Sequence, residues 1–403
     1  MSYNLIGRRD FIKSGLAGVG GFFLLGSDQN EAQSKETDKK IIYRTLGKTG
    51  IKVPVVSLGM VSAGTPALVR AALDAGIFYI DTAHAYHQGE SEELVGEVVK
   101  GRSRDSYMVS TKIGFHRAPP AMNLITGLYT AEATEEAFLK KVDISLKRLG
   151  MDYIDVLYHH NAWRRESALY EPILKAMDKV KKNGKARFLG LSYHRNEVEV
   201  TQAAIDSKLY DVVMIPYNFK QRHYAEVRQV IAKAAEAGLG VVAMKVMGGI
   251  PTQDPLNPVN ASAALKWVLQ DANVHTSVPG FSSFEEMNID LAVMEDLVLK
   301  DSEKEYIQKQ ASLTGFYCQG CGQCAKQCIA KLPIPDLMRA YMYSYGYRRP
   351  AAARDLVISF GLPKNVCGDC MQCPVECSAG FNVRGKIKDV VRLREVPSEF
   401  IAG

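Results

Sequence analysis

Between residues 53 and 280 the chain alternates short apolar runs with longer segments whose apolar residues recur every three or four positions. The runs VPVVSLG, FYIDTA, SYMVSTK, YIDVLYHH, ARFLGLSY, YDVVMIPY, LGVVAMK and HTSVPG read as strands. The stretches between them, TEEAFLKKVDISLKRLG and AEVRQVIAKAAEAG for example, carry the apolar stripe of a surface helix. Eight strand–helix units over about 250 residues predict an α/β chain folded as a (β/α)8 barrel. Ahead of the first strand, YRTLGKTGIKVP reads as a hairpin with a glycine turn, capping the amino-terminal end of the barrel. Beyond residue 305 the alternation stops. There LPIPDLMRAYMYSYGYRRPAAARDLVISFG reads as mostly helical, with Pro335 and Asp336 at a helix start and Gly346 and Pro350 at its end. Near the other end, the thirteen residues from Ser14 to Gly26 are apolar and uncharged, between Lys13 and Asp28. As a helix they rise about 20 Å, short of a bilayer core of roughly 30 Å. They suit the apolar core of an export signal better than a membrane span.

Composition narrows this picture only slightly. Apolar residues make up 47% and charged residues 23%, as in ordinary soluble domains. The formal charge of +6 is spread along the chain without a clustered basic face, so no nucleic-acid partner is expected. The polar stretch SDQNEAQSKETDKK, Ser27 to Lys40, reads as a tether. The expected organisation is signal and tether over 1–40, a barrel over 41–305 and a small, mainly α-helical domain over 306–403.

The cysteines give the last domain its chemistry. All eight fall in two groups, Cys318, Cys321, Cys324, Cys328 and Cys367, Cys370, Cys373, Cys377. Each spells C-x2-C-x2-C-x3-C. Zinc also uses C-x2-C pairs, and an exported chain could carry disulfides. Short spacings repeated twice suit converging thiolates better than four disulfides. The runs resemble the bacterial ferredoxin signature, which implies a ferredoxin-like domain with two [4Fe–4S] clusters. By that resemblance Cys377 completes the first set and Cys328 the second; proline after the fourth cysteine is replaced by Ile329 and Ser378. Two oxidised clusters, each about −2, would bring the formal charge down to about +2. The tyrosines at 341, 343, 345 and 347 read as packing around a small domain rather than as an electron ladder. At the amino terminus Arg8-Arg9, followed by Asp10, Phe11, Ile12 and Lys13, resembles the twin-arginine signal. It implies the twin-arginine translocase as a partner and a periplasmic location. That route carries folded proteins, as a chain loaded with clusters in the cytoplasm requires. No A-x-A site stands out before Lys39, so cleavage is left open.

Barrel chemistry belongs at the carboxyl ends of the strands. Asp81, Lys112, His159, His160 and Ser192 stand there. The stretch GIFYIDTAHAYHQGESEELVG, with Asp81, Thr82, Ala83, Tyr86, Ser91 and Glu92, together with STKIG and YIDVLYHHNA, resembles the aldo-keto reductase family over residues 41 to about 300. The whole chain is similar to members with a C-terminal ferredoxin-like domain. The resemblance implies Tyr86 as acid/base, Lys112 as the cation that tunes it, Asp81 as anchor and His160 as orienter. The chemistry requires such a set. Hydride transfer to a carbonyl leaves an alkoxide needing a proton, and a free tyrosine with a pKa near 10 is a poor acid unless assisted. Strand parity turns His159 the other way.

For the dinucleotide, NAD or NADP, the resemblance implies Met60, Ser192, Met214, Lys245, Gly280 and Ser282. Here Tyr193 stands where the family has asparagine, Met214 where it has glutamine and Met244 where an aromatic stacks on nicotinamide. No lysine or arginine follows Gly280 before Lys300. The expected substrate is a small polar carbonyl or alcohol such as a sugar, with Trp163, Arg164 and Arg165 lining its pocket, and a redox protein is a further partner. The alternatives are an electron-transfer protein whose barrel no longer uses nicotinamide, and a barrel that the clusters merely stabilise.

Overall fold

The computed structural model describes residues 40–401 except 62–64, 117–120, 124–125, 251–257, 314–316, 369 and 371. Residues 1–39, which hold the expected export signal and all of the expected tether but Lys40, lie outside the described residues. From Lys40 onward the chain forms one compact unit.

The eight strands read from the pattern all form: β3 (Leu58–Gly59), β4 (Tyr79–Asp81), β5 (Met108–Ile113), β6 (Ile154–His160), β7 (Ala186–Ser192), β8 (Val212–Pro216), β9 (Gly240–Met244) and β10 (Thr276–Ser277). They lie side by side in chain order, every neighbour parallel. The sheet closes on itself: Ser57 N donates to Ser277 O (2.8 Å), Ser277 N to Val55 O (3.0 Å) and Gly59 N to Pro279 O (2.7 Å). The hairpin precedes it, β1 (Tyr43–Thr45) antiparallel to β2 (Lys52–Pro54). Its Leu46 and Val53 join Tyr79, Met108, Val156, Tyr158 and Val242 in an interior cluster. Gly47, at φ +51°, rests on β9, where a Cβ would lie 2.4 Å from Gly240 N, so only glycine lets the hairpin close on the barrel.

The helices are α1 (Pro66–Asp74), α2 (Glu90–Val99), α3 (Glu135–Leu149), α4 (Arg165–Ala168), α5 (Glu171–Lys182), α6 (Glu197–Ser207), α7 (Tyr224–Glu236), α8 (Ala261–Leu269), α9 (Phe284–Glu295), α10 (Asp301–Ser312), α11 (Ile334–Tyr341), α12 (Pro350–Ser359) and α13 (Val383–Val391). Their ends follow local chemistry. Thr65, Thr134 and Asn260 accept backbone N–H groups at N-caps, and Gly150 ends α3 in the left-handed conformation.

The carboxyl-terminal segment is helical, with no strand among the described residues beyond Ser277. Its core of Leu332, Ile334, Leu337, Met338, Leu356 and Ile387 is continuous with Met122 and Trp163 from the barrel loops. Arg195 and Asp336 (2.7 Å), and Arg349 and the Val61 carbonyl, bind the segment to the barrel's carboxyl-terminal face. The catalytic mouth is therefore roofed.

Candidate active site

Asp81 ends β4, and Lys112 lies on the adjacent β5. Ser110 Oγ donates to Asp81 Oδ1 at 2.6 Å, and the Lys112 ammonium pairs with Oδ2. The ammonium also donates to Thr82 O at 2.6 Å and reaches Tyr86 Oη at 3.5 Å. A buried lysine needs such company, because an unpaired charge out of water is costly. Burial opposes the Lys112 charge, but Asp81 and Tyr86 outweigh it and hold its pKa above the ordinary lysine value. Burial raises the Tyr86 hydroxyl above the ordinary tyrosine value, and the pull of Lys112 only partly offsets this. Ser91 and Glu92 act at a distance. Ser91 Oγ bonds Thr82 Oγ1 (2.8 Å), while Glu92 accepts from Thr111 Oγ1 (2.6 Å) and pairs with Arg148 (3.2 Å), fixing the loop that presents Tyr86.

His160 ends β6 with its ring edge-on to Tyr86, centroids 6.1 Å apart. His159 points the other way, as parity requires, bonding Tyr129 Oη through Nε2 (2.5 Å) and Tyr210 Oη through Nδ1 (3.2 Å). Burial pushes its pKa down to about 3. Two further imidazoles flank His160 that the sequence reading passed over: His116 at 4.6 Å and His194 at 6.3 Å between centroids. Their signal was present, since each lies a few residues past a strand end. Trp163 does not line the mouth; it is buried beneath Arg195, whose guanidinium stands 3.5 Å above its ring. Arg164 pairs with Glu166 and Arg165 with Asp206, half-exposed. Those side chains are drawn to carboxylates at the surface.

The six dinucleotide candidates divide. Met60, buried, donates its N–H to Asp81 O (2.9 Å). Ser192 is buried beside Met214 on β8, its hydroxyl without a partner among the described residues. Met214 packs inside the barrel with Val212, Val242 and Met244. Gly280 and Ser282 are exposed beyond β10, and Ser282 donates N–H and Oγ to Glu286 (2.7 and 3.0 Å). Lys245 lines a cavity at the mouth of about 560 Å³, part of it open to solvent, with His194, Arg195, Asn218, Cys318 and Arg339.

None of the eight cysteines is paired in a disulfide. Burial pushes Cys318 up to about 12, with Cys324, Cys321 and Cys377 adding to the effect. Burial also raises Cys367, whose cysteine neighbours are Cys328, Cys373 and Cys370. These four line an apolar cavity of about 370 Å³, partly open, with Ile334, Val375 and Ile387. Among the described residues no three His, Cys, Asp or Glu side chains stand together as ligands of one metal ion.

A closed parallel barrel with ionisable groups gathered at its carboxyl end is a frame that many enzymes share. The model of the aldo/keto reductase family matches residues 60–254. L-glyceraldehyde 3-phosphate reductase of Escherichia coli K12 is 26% identical over 329 residues, 66% of this chain and 91% of that one. D-threo-aldose 1-dehydrogenase of a Pseudomonas species is 28% identical over 221 residues, 49% of this chain and 67% of that one. An aldo-keto reductase of Klebsiella pneumoniae, solved in complex with NADPH, shares the fold: TM-score 0.52, 23% identity, 67% of this chain and 96% of that one. Over residues 60–254 the barrel resembles that of the aldo/keto reductase family, and the chain is an oxidoreductase.

Proposed function

We propose that this is an exported oxidoreductase interconverting a carbonyl and an alcohol on a small hydroxylated molecule. Tyr86 is its acid/base, a nicotinamide dinucleotide its hydride carrier, and two [4Fe–4S] clusters its link to a redox partner. The observation that carries the reading is the chain Asp81–Lys112–Tyr86, with the His160 ring against the tyrosine. Lys112 fixes the phenol, which gives its proton to the nascent alkoxide or takes one from an alcohol, while His160 orients the oxygen. The names of the relatives, an aldehyde phosphate reductase and an aldose dehydrogenase, favour a sugar-like substrate.

The mouth residues fit a dinucleotide: Ser192 offers an unpartnered buried hydroxyl, and Lys245 offers a donor on the cavity wall. Bound there, nicotinamide would supply the hydride. The reading of the cysteines rests on the doubled spacing and on the grouping of thiols from both runs. A single tetrahedral zinc would draw thiolates to within about 4 Å of one another. The apolar cavity beside Cys367 suits a bulkier polynuclear cluster, which would supply one-electron transfer. Export rests on Arg8 and Arg9.

The test is Tyr86→Phe. It should lower turnover of a short aldose about 100- to 10,000-fold while leaving dinucleotide binding unchanged. Turnover within a few-fold of the parent would remove Tyr86 as the acid and, with it, this mechanism.

A further inference from the structure

The mouth cavity and the cysteine cavity have different walls. Every residue lining the cavity at Cys367 comes from the carboxyl-terminal segment, between Cys328 and Ile387. The mouth cavity is lined from both sides, with His194, Asn218 and Lys245 of the barrel facing Cys318, Gly320 and Arg339. The turn that begins at Cys318 is docked on the barrel. Asn218 Nδ2 donates to Gln319 Oε1 (3.2 Å), and Gln319 Nε2 donates to Gly248 O (2.9 Å). Gly320 lies so close that a Cβ would stand 3.3 Å from His194 O.

Charge makes this junction asymmetric. Lys245 follows β9 in the left-handed region, φ +57°, a strained conformation for a residue with a side chain. Its electrostatic neighbours are Arg339, Glu197, Asp336 and Cys318. The two carboxylates are already engaged: Asp336 with Arg195 (2.7 Å) and Arg339 (2.8 Å), Glu197 with His223 (3.3 Å) and Gln221 (3.3 Å). Burial and then the Arg339 charge pull the Lys245 pKa down to about 7, so it is a negative group at Cys318 that would hold the lysine's charge at neutral pH. At the other group, Arg384 Nη2 is tied to the carbonyls of Cys370 (2.8 Å) and Cys367 (3.3 Å), and Ile329 is 74% exposed.

We infer that Lys245 is the counter-cation of the cysteine group built on Cys318, and that this group, rather than the one on Cys367, is coupled to the barrel mouth. The inference rests on the cluster reading above. A cation held out of water beside a cluster stabilises the reduced form, which carries one more negative charge, and so raises its potential. Lys245 acts through the cysteine group and is a positioning residue for electrons, not a ligand.

The test uses the full chain, prepared anaerobically, with iron content and voltammetry resolving two one-electron waves. Lys245→Met should keep the iron and sulfide content and move one wave to lower potential, leaving the other in place. Lys245→Arg should restore the moved wave. Arg384→Met should lower the wave that Lys245→Met left alone. If Lys245→Met moves neither wave, or moves the one that Arg384→Met moves, the inference is overturned while the clusters stand. If the parent chain holds no iron and sulfide, the cluster reading itself falls, and this inference with it.

Discussion

At the residue scale, the resemblance identified the set around Tyr86, but only the structure gives the balance of forces on it. Asp81, Tyr86, Lys112 and His160 could be chosen from strand ends and motif. That burial would outweigh the Lys112 ammonium at Tyr86 could not, because the roof comes from residues far along the chain, Tyr343 among the groups that act on the phenol. The consequence is a pH profile. A raised tyrosine pKa keeps the hydroxyl protonated through and beyond the ordinary value of about 10. Carbonyl reduction, which needs the proton, should stay level from neutral pH up to that range. Alcohol oxidation, which needs tyrosinate, should climb through the whole alkaline range without reaching a plateau below it. Turnover measured in both directions from pH 6 to 11 checks this, and an oxidation plateau near pH 8 would contradict it. His116 and His194 were overlooked for a related reason: neither belongs to the matched motif, and it is the side-by-side pairing of β5, β6 and β7 that brings their ends together.

At the element scale, the strands were legible because most are buried on both faces and read as short, mainly apolar runs. Their bounds were not: HTSVPG yields only Thr276 and Ser277 as strand, since the chain leaves the sheet once Pro279 has accepted the closing bond from Gly59. The start of α9 carries a more specific consequence. Ser283 caps it, accepting from Glu286 N (3.2 Å), and the Glu286 carboxylate turns back to Ser282 N and Oγ. Glu285 and Glu286 thus hold negative charge at the positive end of the helix dipole. The resemblance puts the ribose end of the dinucleotide at Gly280 and Ser282, so a 2′-phosphate would meet carboxylates rather than bare N–H groups. NADP should bind roughly five- to tenfold more weakly than NAD, the dipole and charge terms being about 1 kcal/mol. Glu286→Gln, which keeps an acceptor for Ser282, should narrow the gap. Fluorescence titrations with each dinucleotide decide it, and equal affinities in the parent chain would refute it.

At the scale of the whole molecule, the boundary near residue 305 is a change of chemistry more than of structure. The apolar core of the last segment runs on into Met122 and Trp163, and Gln319 is bonded to Asn218 and Gly248 across the junction. Sequence pattern gave no hint of this docking, because contacts between distant elements leave no periodicity. Such a molecule assembles its mouth only once both parts are folded, and any cluster must be in place before the cysteine loops close around it. Were the proposed clusters present, threading the chain unfolded through a membrane would strip them and a route for folded protein would be required; Arg8 and Arg9 are the residues proposed to select it. Replacing both with lysine preserves charge and apolar pattern, so a general secretion signal would scarcely notice the change, whereas a twin-arginine signal should fail. The lysine pair should leave the protein in the cytoplasm with its iron and sulfide intact, while the parent chain accumulates in the periplasm with the same content. Fractionation with metal analysis of both compartments reads this directly. Periplasmic lysine-pair protein at the parent level would mean that the paired arginines do not direct export.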